Sequence, residues 1–174
     1  RDGGEFQMRF KDGEPVAPLK KAGPSDGRHG TTVTFLPSRK TFTMTDFDFN
    51  TLEHRLRELA FLNSGVTLTL TDARLADPKT VTMHYDGGIA AFVKWLDRNK
   101  AAQHEGPINF SVERDGITVE AALQWNDSYH ENMLCFTNNI PQKDGGTHLA
   151  GFRGALTRQI NHYASQSGIA KKDK

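Results

Sequence analysis

The alternation of apolar and polar positions divides the chain into short strand-like segments and longer helix-like stripes. Glu5–Phe10 alternates and predicts a strand. Lys11–Gly30 is rich in glycine and proline and predicts a turn followed by a loop. Thr31–Leu36 is β-branched and alternating, with Val33 and Phe35 on one face, and predicts a second strand ended by Pro37-Ser38. From Asp46 to Leu62 the apolar residues Phe49, Leu52, Leu56 and Leu59 recur at helical spacing. Thr45 or Asp46 can cap that helix, Asn63-Ser64-Gly65 supplies its stop, and Glu53 stands four residues before Arg57 as a favourable surface pair. Val66–Thr71 and Thr80–Tyr85 then predict a strand pair, with Asp77-Pro78 in the turn region.

Asp86-Gly87-Gly88 is the best internal boundary. It follows a strand and opens a helix with Ile89, Phe92, Val93 and Leu96 on one face. Ile108–Arg114 and Ile117–Trp125 predict the clearest hairpin, because Asp115-Gly116 between them suits a two-residue type I′ turn with positive φ at both places. On its second strand Ile117, Val119, Ala121, Leu123 and Trp125 share a face, while Thr118, Glu120 and Gln124 face the other way. Asn132–Phe136 predicts a third strand. Gly145-Gly146-Thr147 opens a long helix to about Tyr163, with Leu149, Phe152, Leu156, Ile160 and Tyr163 toward the core. Antiparallel hairpins with helices on one face make an α+β protein, and the break at Gly87 predicts two small lobes.

Composition adds little to this picture. Apolar residues are 36% and charged residues 25%, and 22 Lys+Arg against 21 Asp+Glu leave a net charge of +1. That balance lacks the basic excess of a free-standing nucleic-acid-binding domain. Cys135 is the single cysteine, so no intramolecular disulfide forms, which fits a reducing cytoplasmic setting. Its place in Met133-Leu134-Cys135-Phe136 reads as a small core residue. No apolar run approaches the ~20 residues that span a bilayer, and a membrane role is not expected. Arg1 without a preceding Met, and Ala170-Lys171-Lys172-Asp173-Lys174 directly after a helix, read as the ends of a piece cut from a longer protein.

A search for chemistry finds no catalytic constellation. His29, His54, His84, His104, His130, His148 and His162 form no metal-binding pair, and one cysteine gives no zinc framework. No nucleophile elbow or Walker A loop is present. Asp46 and Asp48 read as capping and solvated residues. Gly145-Gly146-Thr147 can hold an anion at a helix start, but a tight entry turn with Thr147 as N-cap is favoured. Gly30-Thr31-Thr32-Val33 offers close backbone approach and the Thr31 hydroxyl, yet by itself reads as an ordinary strand start. Arg153 and Arg158 lie five positions apart on the last helix and do not share a narrow face. Lys171, Lys172 and Lys174 read as a solvated terminus. Trp95 and Trp125 fall in core patterns rather than on a stacking platform for single strands.

One run changes this estimate. Cys135-Phe136-Thr137-Asn138-Asn139-Ile140-Pro141-Gln142-Lys143-Asp144-Gly145-Gly146-Thr147-His148-Leu149-Ala150-Gly151-Phe152-Arg153 resembles the transducer signature of the B subunits of bacterial type IIA topoisomerases. Gly30-Thr31-Thr32-Val33-Thr34-Phe35-Leu36-Pro37, Arg55-Leu56-Arg57-Glu58-Leu59-Ala60-Phe61-Leu62-Asn63 and Tyr85-Asp86-Gly87-Gly88-Ile89 agree in order, and the resemblance covers nearly the whole chain. The Thr-Asn-Asn-Ile form, with Ala-Leu-Gln-Trp-Asn upstream, is closer to the gyrase branch than to the topoisomerase IV branch.

The resemblance implies residues 1–86 as the C-terminal portion of a GHKL ATP-binding domain. It implies residues 87–174 as the truncated first portion of a transducer like the second domain of ribosomal protein S5. It implies ATP and Mg²⁺ as cofactors of the intact enzyme, but no tight binding of either to this piece. Implied partners are the gyrase A subunit, a second B subunit in an ATP-dependent dimer, and double-stranded DNA. Thr31 matches a threonine at the adenine end of the ATP site. The resemblance also implies a basic-lined cavity for passing DNA, with Arg153 the best candidate for its wall and Arg158 a weaker one. The DNA-cleaving tyrosine belongs to the A subunit, so Tyr85, Tyr129 and Tyr163 take no such role. The water-activating glutamate, the Mg²⁺-holding asparagine, the glycine-rich lid and the aspartate that works with Thr31 all fall before Arg1 in this family. The γ-phosphate-sensing Gln-Thr-Lys loop falls after Lys174. The alternatives are a topoisomerase IV fragment or a stand-alone S5-like module; the near-neutral charge argues against RNA as the ligand of such a module.

Overall fold

The computed structural model describes residues 2–168. The protein is α+β: short antiparallel strand pairs and helices, arranged in two compact units that divide between Asp48 and Phe49. Lys171, Lys172 and Lys174 lie outside the described residues.

The first unit is built on hairpin pairing. Strand β1 (Gly4–Gln7) pairs antiparallel with β4 (Lys20–Pro24), with a register shift between Glu5 and Phe6. Between them β2 (Phe10–Lys11) pairs with β3 (Glu14–Pro15). Asp12 and Gly13 join that pair with φ of 52° and 89°, the positive values a two-residue type I′ turn needs. The segment expected to be turn and loop therefore holds two further strands. Conversely, Thr31–Leu36 forms no strand. A strand is stabilised by ladder hydrogen bonds and a covered face. No described strand pairs with this segment, and Val33, Phe35 and Leu36 are 78%, 69% and 93% exposed. Phe35 instead makes an edge-to-face contact with Phe47, at 5.9 Å between ring centroids.

The second unit holds the core. Helix α1 (Phe49–Leu62) begins three residues later than the pattern places it, so Thr45 and Asp46 stand outside the helix. Strands β5 (Thr67–Asp72) and β6 (Lys79–His84) form a regular antiparallel pair. Their period of two sorts the side chains cleanly. Leu68, Leu70, Val81 and Met83 turn inward, and α1 packs on this pair. On the outer face Thr69 meets Thr82 and Thr71 meets Thr80 across the strands, and Thr67 meets His84 Nδ1 at 3.0 Å. At the strand end the Arg74 guanidinium bonds both carboxylate oxygens of Asp72 and holds its pKa down to about 2.

Helix α2 (Gly88–Leu96) follows a left-handed Gly87, φ 92°, and packs on α1. The fully buried side chains of α1 are Ala60 and Phe61 rather than the stripe of Phe49, Leu52, Leu56 and Leu59, which is only half-buried. The helix is covered from two sides, and its second apolar face meets α2.

Strands β7 (Ile108–Arg114) and β8 (Ile117–Leu123) form the expected hairpin, with Arg114 opposite Ile117 and φ of 54° and 73° at Asp115 and Gly116. Helix α2 lies against this hairpin as well. It covers the base: Ala121 and Leu123 are half-buried, whereas Ile117 and Val119 toward the turn are 67% and 50% exposed.

The third strand expected at Asn132–Phe136 does not form there. Pairing begins only at β9 (Phe136–Thr137), which turns at once into β10 (Ile140–Pro141). Asn138 and Asn139, φ 47° and 65°, make a second type I′ turn, so the local hairpin replaces a third strand on the larger pair.

Helix α3 (Gly146–Gln166) is entered through Gly145 in the left-handed region, φ 78°, with no side-chain cap. Thr147 lies inside the helix and does not serve as its N-cap, because Gly145 already occupies that position. Leu149, Phe152 and Leu156 are half-buried, and Phe152 stacks on Phe110 of β7 at 6.5 Å between centroids. Ile160 and Tyr163, expected in the core, are 49% and 67% exposed, since no described residue covers the second half of α3. No helix among the described residues is long and apolar enough to cross a membrane.

Candidate functional site

A connected cluster of aromatic and cationic side chains surrounds the glycine pair Gly87-Gly88. Phe61, 2% exposed near the end of α1, sits at its centre. Its ring stacks on Tyr85 at 3.7 Å and on Phe92 of α2 at 4.9 Å, and Trp95 lies 6.0 Å away. Stacked aromatic pairs contribute about 0.5–1.5 kcal/mol each beyond the apolar area they bury. Arg57, one turn back on α1, donates to the Tyr85 hydroxyl at 2.7 Å, pairs with Glu53, and lies 5.4 Å from the Trp95 ring centre. The Glu53–Arg57 pair is the one the sequence spacing predicts. Arg98 approaches the same indole at 4.2 Å. The Tyr85 carbonyl accepts from Gly65 N, which ties the strand end before Asp86-Gly87-Gly88 to the turn that follows α1. Side chains on both sides of Gly87-Gly88 thus share one aromatic stack.

A second cluster joins α1 to the Asn138-Asn139 turn. The Arg55 guanidinium donates to Glu58 at 2.8 Å and to the Asn139 carbonyl at 2.7 Å. The Asn139 side-chain amide donates to Asn63 Oδ1 at 2.9 Å. Asn63 Nδ2 in turn donates at 2.7 Å to the Leu59 carbonyl, which also accepts the Asn63 backbone N–H at 3.0 Å. Among the described residues, no buried side-chain nitrogen or oxygen lacks a partner.

The residues singled out from sequence do not converge. Thr31 is exposed in the extended backbone after Gly30 in the first unit. A shallow groove in that unit is lined by Arg39, Phe42, Thr43, Met44, Thr45 and Asp46, and Thr31 is not among them. Arg153 and Arg158 are exposed on α3. Arg153 donates to Glu131 at 2.6 Å, and Arg158 makes no ion pair among the described residues. Cys135 is half-buried. The described residues hold no cluster of three His, Cys, Asp or Glu side chains fit for a metal.

Pattern reasoning passed over Arg55, Asn63 and Asn139. All three lie in the conspicuous runs Arg55–Asn63 and Thr137–Ile140, but spacing cannot show that these runs touch. The signal that was present is the Asn-Asn pair, which tolerates two consecutive positive φ values and so marks a tight turn.

Comparison with known proteins places this geometry. A DNA gyrase B family model matches residues 88–174, half of the chain. The chain belongs to the DNA gyrase B family. The DNA gyrase B protein of Caulobacter vibrioides is 53% identical over 184 aligned positions, covering 100% of this chain and 23% of that protein. The DNA topoisomerase 4 B protein of Enterococcus faecalis is 47% identical over 176 positions, covering 100% of this chain and 26% of that protein. The crystal structure of the 43K ATPase domain of Thermus thermophilus gyrase B, in complex with an aminocoumarin, superposes with a TM-score of 0.80 at 33% identity. That match covers 97% of this chain and 46% of the other. The gyrase B-family chain thus spans about a quarter of its curated relatives and corresponds to part of the B component of a type IIA topoisomerase.

Proposed function

We propose that this chain is a mechanical link in an ATP-operated DNA gate. Residues 1–86 form the C-terminal portion of a GHKL ATP-binding domain, and residues 87–174 the first part of a transducer. In the complete enzyme they couple ATP binding and hydrolysis to DNA strand passage and negative supercoiling. Its partners there are the gyrase A subunit, a second B subunit in an ATP-dependent dimer, and double-stranded DNA. The beginning of the family match at Gly88 supports the division at Gly87.

The observation that carries the reading is the aromatic stack across Asp86-Gly87-Gly88. Phe61 and Arg57, joined to Tyr85 before the glycines, reach Phe92 and Trp95 after them directly. A rigid-body switch needs a stiff element to carry displacement, and a packed aromatic core resists graded deformation. The gyrase reading is favoured over the topoisomerase IV reading by the higher identity to the Caulobacter vibrioides protein, 53% against 47%.

Thr31, the candidate for the adenine end of the ATP site, stands exposed. ATP and Mg²⁺ are assigned to the intact enzyme, and no chemical step is assigned to this chain. Phosphoryl transfer depends on positioning and charge stabilisation, and this chain alone is expected to hydrolyse no ATP above a buffer blank. Turnover by the pure 174-residue chain would refute that.

Arg153 is the proposed DNA contact, with Arg158 secondary. Its pairing with Glu131 is half-exposed on both sides, and such pairs are worth about 0–1 kcal/mol, so a phosphate can replace the carboxylate. In the full-length enzyme Arg153→Gln is expected to lower supercoiling several-fold while the KM for ATP stays at the wild-type value. Supercoiling assays alongside steady-state ATPase measurements check this, and equal loss of both activities would count against a DNA contact.

A further inference from the structure

Asn139 of the Thr137-Asn138-Asn139-Ile140 turn makes two hydrogen bonds, one to helix α1 and one to the residue that ends it, and the chemistry there is specific. Asn139 presents its carbonyl to Arg55 and its side-chain amide to Asn63. Asn63 Nδ2 is already engaged with the Leu59 carbonyl, so its Oδ1 is the atom left to face Asn139. The arrangement therefore requires a donor at Asn139. Asn138, its neighbour in the same turn, is exposed and contributes only its positive φ of 47°. Both residues satisfy the turn, yet only one reaches across.

We propose that Asn139 is a positioning residue, a polar latch that fixes the α3 entry segment to the end of α1, with Arg55 and Asn63 as its receiver. The latch lies well away in sequence from the stack at Gly87-Gly88 and provides a second attachment between the elements before and after that boundary. A single attachment lets one element pivot about the other. Two attachments remove that freedom, so movement of α1 is delivered to β9, β10 and the start of α3 instead of being lost at the glycines. This role rests on the reading of the chain as a coupling element.

The turn itself supplies the controls. Asp and Gly both tolerate the left-handed backbone, so neither Asn139→Asp nor Asn139→Gly breaks the turn. Asp carries no amide donor and sets a carboxylate against Asn63 Oδ1; Gly simply removes the donor. Asn138→Asp adds the same charge one residue away with no latch to lose. These variants are compared in the full-length B subunit assembled with the A subunit. Superhelical turns introduced per ATP hydrolysed are expected to fall on the order of fivefold for both Asn139 variants, the size of a typical coupling loss, with an unchanged KM for ATP. Asn138→Asp is expected to match the wild type in both respects. Combining Asn63→Ala with Asn139→Gly should cost no more than the larger single change, because the Asn139–Asn63 bond that Asn139→Gly removes is already gone in Asn63→Ala.

Hydrogen exchange in the same assemblies gives a readout free of activity. Amides of the Phe136–Pro141 hairpin should exchange faster in Asn139→Gly than in Asn138→Asp. Wild-type turns per ATP and wild-type exchange in the Asn139 variants would overturn the latch, as would an Asn138→Asp variant that loses as much as they do. A wild-type enzyme that leaves DNA topology unchanged with ATP would overturn the coupling reading instead, and the exchange comparison would still decide whether the turn is docked.

Discussion

A Phe61→Ala variant of this chain is expected to lose about 3–5 kcal/mol of folding stability, the range for deleting a buried phenylalanine. Phe61 is 2% exposed, and its ring contacts Tyr85 and Phe92 directly with Trp95 close by. Removing it withdraws the common partner of the stack and leaves a cavity bounded by aromatic faces too rigid to collapse into it. The Arg57 guanidinium, set between Tyr85 and Trp95, also loses the framework that orients it. Urea unfolding followed by far-UV circular dichroism measures the effect. Phe61→Leu, which refills part of the volume but cannot stack, should fall between the variant and the wild type. A loss below about 1 kcal/mol, the range of an ordinary surface change, would show that the stack does not hold α1 to α2.

Gly145→Ala is expected to destabilise the entry to α3. Gly145 is buried with φ of 78°, and holding a residue with a Cβ in the left-handed region costs about 1–2 kcal/mol. A Cβ placed there would also lie 2.3 Å from Leu149 Cδ2 and 3.3 Å from Leu149 Cβ, so the Leu149 side chain must change rotamer. Leu149 is one of the half-buried residues that seat α3, and its displacement adds to the backbone cost. The neighbouring Gly146 differs. Its φ is 62°, but a Cβ there meets only the His148 ring at 2.8 Å, and that side chain is exposed and can swing away. Urea midpoints should therefore drop further for Gly145→Ala than for Gly146→Ala, and the reverse order would mean that Leu149 does not anchor the helix.

Where one stretch of chain determines its own structure, the sequence was readable. The Asp115-Gly116 hairpin appears with its register intact because the turn residues and the strand alternation act within the same few residues. The same signal at Asp12-Gly13 was available but was masked by the surrounding glycines and prolines. Thr31–Leu36 shows the opposite failure. Its β-branched pattern is genuine, but a strand depends on a neighbour, and alternation carries no information about whether one exists. Asn132–Phe136 failed similarly, since the Asn-Asn turn two residues later commits the backbone to a local hairpin.

The site was legible only in part. The Glu53–Arg57 pair follows from i, i+4 spacing on a helix, but its attachment to Tyr85 and Trp95 comes from tertiary packing. Asn139, Arg55 and Asn63 each stood in a recognisable run, and nothing in either run indicates that the two meet. Phe61 illustrates the limit most clearly. It falls off the apolar stripe chosen for α1 because that stripe assumes one covered side, whereas the helix is enclosed on two.

The chain contains two tryptophans, and they report on different places. Trp125 is 45% exposed beside His104, while Trp95 is held against two guanidinium groups within the stack. An indole excited state responds to nearby cations and to water entry, so Trp95 acts as an intrinsic optical probe of that junction. Replacing Trp125 by phenylalanine would leave a single emitter, and loosening around Gly87-Gly88 could then be followed in real time without any added label.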